Sequence, residues 1–154
     1  MHHYVESGLN QVWLRNGYVE EITAYGPTIA FGNIDSLHRA IALSIIDIVG
    51  KLKAEHIRFL RRNLGMSRRR LGDWLGVAER RLVLWEEGRR PITLGSDKLL
   101  RLVVKAHLSP HTTLRQALAE LNDVDRATGD CTLVFAAAGE TWERFHGVSD
   151  SGTE

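Results

Sequence analysis

The stretch that most constrains this chain is residues 56 to 90, HIRFLRRNLGMSRRRLGDWLGVAERRLVLWEEGRR. Ile57, Leu60 and Leu64 recur at i, i+3 and i+7, which gives a first helix one apolar face. Gly65 stops it, because glycine takes the left-handed conformation of a helix end without steric penalty. Ser67 is placed to cap a second helix with its hydroxyl. Leu71 and Leu75 share a face of that helix, Gly76 makes a tight turn, and Val77 plugs it. A third helix, from about Glu79 to Glu87, buries Leu82 and Trp85 and stops at Gly88. Two short helices joined by a short turn containing a glycine make a helix-turn-helix pattern.

The run Leu71-Gly72-Asp73-Trp74-Leu75-Gly76-Val77, then Leu82, then Trp85-Glu86-x-Gly88, resembles the phage-repressor (Xre) type of helix-turn-helix. Upstream, Tyr4-Val5-Glu6-Ser7-Gly8-Leu9, Asn16-Gly17-Tyr18, Leu37-His38-x-x-Ile41 and Glu55-x-Ile57-x-Phe59-Leu60-Arg61 resemble, as an ordered set, the antitoxin-like regulators of the MqsA type. Together these cover roughly residues 4 to 108. The resemblance implies a lambda-repressor-like bundle that binds double-stranded DNA sequence-specifically and regulates transcription. Repression is the expected sense, including antitoxin-like autorepression. Relatives often begin with a zinc ribbon built on four cysteines. This chain has one cysteine, Cys131, so neither that zinc site nor any other cofactor is expected.

The charge pattern points the same way. The formal net charge is +1, but residues 51 to 90 hold twelve Lys and Arg against five Asp and Glu, and the remainder is net acidic. A basic block that coincides with the motif suggests a face built for an anionic polymer. A helix-turn-helix reads bases from the N-terminal part of its second helix. Glu79, Arg80, Arg81 and, one turn on, Leu84 are therefore the candidate base contacts. An arginine fork matches guanine O6 and N7, a glutamate accepts from cytosine N4, and an apolar side chain meets a thymine methyl. The resemblance marks the positions of Arg80 and Leu84 as typical base-reading sites. Ser67, Arg68, Arg69, Arg70, Arg89 and Arg90 are the candidate phosphate contacts, the first four at a helix N-terminus whose amides favour anions. Arg68, Ala78 and Leu84 depart from the usual glutamine, hydroxyl cap and polar residue of the family.

The rest of the chain reads as a mainly α protein with small β elements. Residues 1–32 suggest a β-meander, with hairpin turns at Asn16-Gly17 and Gly26-Pro27. Residues 33–108 form the helix-turn-helix domain. In it a helix over about 35 to 49, capped by Asn33 or Asp35, carries the stripe Leu37, Ala40, Ile41, Ile45 and Ile48. His38 at its edge reads as a packed histidine. A long helix ends near Leu108, capped by Thr93 or Ser96, and carries two stripes. Leu99, Leu102, Val103 and Ala106 make one; Leu100, Val104 and Leu108 make the other, which needs a cover. Residues 109–154 suggest an appendage with a helix over 111 to 122 and a hairpin pairing 132–135 with 142–145, Gly139 in its turn.

No P-loop, dinucleotide fingerprint or nucleophile elbow is present, and no enzyme is expected. His107 and His111 are four apart, but Pro110 breaks the helix that would align them on a metal. The lack of an apolar leader or spanning segment, with a lone cysteine, suggests a cytoplasmic protein away from membranes. A homodimer is expected, because one motif places few side chains on base edges and a two-fold pair reads two half-sites. The competing reading keeps the fold without base-specific reading: a protein-interaction module, or an antitoxin that neutralises a toxin partner.

Overall fold

A computed structural model of the chain describes residues 1–48, 50–109, 116 and 132–145. The elements run β1 (His2–His3), β2 (Val12–Leu14), β3 (Tyr18–Thr23), β4 (Gly26–Phe31), α1 (Ile34–Ile46), α2 (Ala54–Asn63), α3 (Arg68–Leu75), α4 (Glu79–Glu86), α5 (Leu94–Leu108), β5 (Leu133–Ala138) and β6 (Thr141–Arg144). Helices predominate over the two small sheets, as the sequence pattern predicts. Of the expected helix over 111 to 122 only Gln116 is described; His111, Cys131 and the tail from Val148 lie outside the described residues. No described helix is long and apolar enough to cross a membrane.

Local chemistry sets the helix starts. Asn33 caps α1 by accepting from Ser36 N at 3.2 Å, Ser67 caps α3 by accepting from Arg70 N at 3.1 Å, and Thr93 caps α5 by accepting from Ser96 N at 3.4 Å. At α2 a histidine serves instead. His56 Nδ1 accepts from the Lys53 backbone N–H at 3.0 Å, the part a glutamate plays in a capping box. The helix α4 starts at Ala78 with no side-chain cap.

One core joins helices and sheet. It gathers Leu37, Ile41 and Ile45 from α1, Ile57 and Leu60 from α2, Leu71 from α3, Leu82 and Trp85 from α4, and Val12, Leu14, Leu133 and Phe135 from the strands. The two stripes of α5 differ in burial. Leu100 and Val104 are buried and Leu108 is half-buried, while Leu99 and Ala106 face solvent and Leu102 and Val103 are half-buried. Of the covers open to the stripe of Leu100, Val104 and Leu108, a partner subunit or the chain itself, the chain supplies one.

A pair of charges shares the buried face. Asp97 and Arg101 stand one turn apart on the same face as Leu100 and Val104, and both are turned inward. Arg101 donates to Ile46 O at 3.2 Å, Ile48 O at 2.6 Å and the Gly50 carbonyl, and so satisfies the last carbonyl of α1 and two of the loop that follows it. Its Nε lies 2.8 Å from Asp97 Oδ1 as a charge contact without hydrogen-bond alignment, and Asp97 Oδ2 accepts from Leu52 N at 2.7 Å.

The sheets also differ from a simple meander. One has the strand order β1-β2-β5-β6, and the other is the β3-β4 pair alone. Strand β2 runs parallel to β5, with Val12 opposite Leu133 and Leu14 opposite Phe135. Strands from near both ends of the chain therefore share one sheet. Asn16-Gly17 is not a hairpin turn. Asn16 Oδ1 accepts from Ala137 N at 2.6 Å, and a Cβ on Gly17 would sit 2.5 Å from the Trp142 ring. These residues carry the chain from one sheet to the other beneath a tryptophan. The β3-β4 turn is Ala24-Tyr25, and Gly26-Pro27 already lies in β4, opposite Thr23 and Ile22. Gly139-Glu140 turns the C-terminal hairpin, as predicted, with Gly139 at φ +66.

Candidate functional site

The helices α3 and α4 are eight residues each and are joined by Gly76-Val77-Ala78. Three local features fix this corner. Gly76 is left-handed at φ +70 and caps α3. Val77 N donates to Gly72 O at 2.9 Å, folding the turn back on the helix. Gly72 leaves room for that return, since a Cβ there would lie 2.8 Å from Val77 O.

Burial then sorts the α4 side chains. Leu82 and Trp85 point into the core, as the spacing predicts. Glu79, Arg80 and Arg81 occupy the exposed first turn, and Leu84 is half-buried one turn on. On α3, Ser67, Arg69 and Arg70 are exposed at the N-terminus, and Trp74 is 56% exposed. Arg89 and Arg90 follow α4 in a tight turn whose amides both donate to Leu84 O, at 3.0 and 3.3 Å. Both are exposed, and Arg89 also lies 3.1 Å from Glu87 at the surface, a pair that contributes little in water.

Arg68 differs from its neighbours. Its Nε donates to Glu86 Oε2 at 2.6 Å, while Arg61 Nε donates to the other oxygen, Oε1, at 2.6 Å. The Glu86 side chain is fully shielded from solvent. One carboxylate thus ties α2, α3 and α4 together through two charge-assisted bonds. Arg61 also donates to Met66 O at 3.1 Å, which pins the link between α2 and α3. Arg68 keeps 40% of its side chain exposed, so it faces the surface while its inner nitrogen is already engaged.

Glu86 and Arg61 are not among the sequence-predicted site residues, although the sequence carries a signal for them. Positions 82, 85 and 86 follow i, i+3, i+4, which makes Glu86 the third member of the inward stripe. A carboxylate there requires cationic partners, and the neighbouring helices are rich in arginine.

The buried histidine cap lies elsewhere. Because His56 Nδ1 accepts from Lys53 N, its neutral ring carries the proton on Nε2; Gln11 Nε2 is placed 2.8 Å from it, and the pairing requires that amide turned end for end so that its oxygen accepts. Burial first, then the Lys53 and Arg101 charges, push the His56 pKa down to about 4. His38 packs as expected, with Nε2 2.9 Å from the Tyr4 hydroxyl and its pKa lowered by burial against the opposing pull of Asp35. No group of three or more His, Cys, Asp or Glu able to hold a metal ion occurs among the described residues.

No family model, no curated protein and no solved structure matches the chain.

Proposed function

We propose that the chain binds double-stranded DNA sequence-specifically and regulates transcription as a repressor, with α3 and α4 as a helix-turn-helix of the Xre type. The observation that carries this reading is the exposed first turn of α4. There Glu79, Arg80 and Arg81 are exposed, as are Arg69 and Arg70 at the capped N-terminus of α3. In this arrangement α4 enters the major groove, Arg80 or Arg81 forks onto a guanine, and Glu79 meets a cytosine amine. Ser67, Arg68, Arg69, Arg70, Arg89 and Arg90 take the phosphates on either side. Leu84, half-buried, reaches the groove only at its edge, against a thymine methyl. Glu86 positions Arg68 and the two helices rather than meeting DNA. Two copies would read half-sites about one helical turn apart.

The exposed Trp74 favours a second reading beside this one. A large aromatic on the outer face of α3 suits a protein partner, as in a toxin-neutralising antitoxin.

The test is a footprint on the DNA upstream of the chain's own gene, repeated with Arg80→Ala. The wild type protects a discrete site. The variant keeps its melting temperature and loses about 1–3 kcal/mol of discrimination at one or two base pairs. Binding that ignores sequence in both proteins, or no binding at all, overturns the reading.

A further inference from the structure

The β3-β4 pair is a bare ribbon. Among the described residues no strand pairs with either outer edge. It carries open apolar side chains: Val19 near its base is 59% exposed, and at its tip Ile22 is 93% exposed and Tyr25 fully exposed. Two isolated strands are marginally stable in water, and unpaired strand edges are templates for further pairing. The backbone pattern shows which groups are free. Gly32 N donates to Gly17 O at 3.2 Å, and antiparallel ladders alternate bonded and non-bonded pairs. With the observed register, Val19↔Ala30, Glu21↔Thr28 and Thr23↔Gly26 are then bonded pairs. The amides of Ile29 and Phe31 point outward from β4, and those of Tyr18, Glu20 and Ile22 outward from β3. Pro27, which has no N–H, stands opposite Ile22 at a non-bonded position, as this alternation requires.

The two edges are not equivalent. Glu20 and Glu21 guard β3, whereas no residue from Gly26 to Phe31 carries a charge. No Lys or Arg occurs from Asn16 to His38 either, so the ribbon is no surface for phosphate.

We propose that β4 pairs antiparallel with β4 of a second copy, joining two ribbons into a four-stranded sheet on a two-fold axis at Ile29. In that register Ile29 N–H donates to the partner's Ile29 carbonyl and Phe31 N–H to the partner's Pro27 carbonyl, in both directions. Every outward β4 donor is satisfied, and the missing proline N–H leaves only an acceptor open. On one face Tyr18 and Phe31 continue into the partner's Pro27 and the partner's Ile22, so the exposed tip joins an apolar row. Charge selects this edge. Pairing β3 with β3 would crowd four carboxylates onto two neighbouring strands, two on each face, whereas pairing β4 with β4 moves the two Glu pairs to the outer strands. Three strand spacings, about 14 Å, then separate them, more than the screening length in physiological salt.

This interface would supply the two-copy reading of DNA, but its support is independent of DNA binding. Sedimentation velocity on the full chain without DNA tests it, using wild type, Ile29→Pro and Glu20→Pro. Each proline removes one outward N–H and no bond inside the ribbon. Wild type and Glu20→Pro should sediment as dimers at micromolar concentration. Ile29→Pro should raise the dimer dissociation constant by roughly tenfold or more, since two hydrogen bonds are lost per dimer. A monomeric wild type overturns the proposal. So does an Ile29→Pro dimer as tight as wild type, or an equal loss in Glu20→Pro with its melting temperature unchanged. If a proline variant melts early, Ile29→Lys decides: it keeps the N–H but sets like charges across the axis, and an unweakened dimer overturns the proposal. DNA titrations on the same proteins keep the two readings apart. A dimer that ignores DNA contradicts only the regulator, and a monomer that binds a site contradicts only the ribbon.

Discussion

The helical half and the sheet half of this molecule are assembled by different means. The helices meet through contacts near in sequence and through buried charges: Glu86 between Arg61 and Arg68, and Arg101 on the end of α1. The sheet half is held by polar contacts across more than a hundred residues. Asn16 accepts from Ala137 N, Asn33 donates to Glu140 O at 2.7 Å, and Trp142 Nε1 donates to Gly32 O at 2.8 Å. A face made by local periodicity is nearly rigid once its helices pack, whereas a sheet made by distant strands must wait for the whole chain. The candidate DNA-reading residues sit on the first kind of structure, which holds side chains at fixed spacing.

Three perturbations would break or sharpen that contrast. The largest effect is expected from Trp85→Ala, which empties the centre of the helical half and should cost about 3–5 kcal/mol in denaturant unfolding. Unchanged stability would contradict the facing of α4.

Next comes acid, through the cap of α2. The folded pKa of His56, about 4, lies below its unfolded value of about 6.5. The unfolded chain therefore binds the proton first as pH falls. The contribution of His56 is fully present above pH 6.5 and declines between 6.5 and 4, by about 3 kcal/mol in all. Stability measured across that window should fall for the wild type and fall less for His56→Gln. Parallel curves would remove His56 as the cause.

The smallest of the three is Gly17→Ala. The residue has φ +79 and would press its Cβ into Trp142, a strain of about 1–3 kcal/mol. The loss should appear in Trp142 fluorescence and the ribbon's base, with α3 and α4 unaltered by amide exchange. A uniform loss across all amides would mean that the two halves are one cooperative unit.

What the sequence makes legible follows the same division. Helix faces, caps and the α3-α4 turn are readable because a 3.6-residue period, a hydroxyl or a glycine acts within a few residues. Arg80, Arg81 and Glu79 are placed on the exposed first turn for that reason. The partner of β2 is not readable: nothing in Val12-Trp13-Leu14 names Leu133 to Phe135 as its neighbour. Asn16-Gly17 misleads because its tolerance of unusual backbone angles serves a close approach to Trp142 as well as it serves a turn. The inward face of α5 is not legible from its apolar residues alone, because Asp97 and Arg101 belong to it: their i, i+4 spacing on the Leu100 and Val104 face marks an inward pair.

The most direct measurement of the proposed DNA contact is the salt dependence of binding to a duplex carrying the protected site. Each phosphate neutralised contributes about −0.9 to the slope of log K against log salt. The wild type should show a steep negative slope. Arg69→Ala, which removes an exposed arginine at the start of α3, should make it shallower by about one while leaving the preferred sequence unchanged. A flat wild-type slope, or an Arg69→Ala slope equal to the wild type's together with one from Arg70→Ala, would contradict docking of this face on DNA.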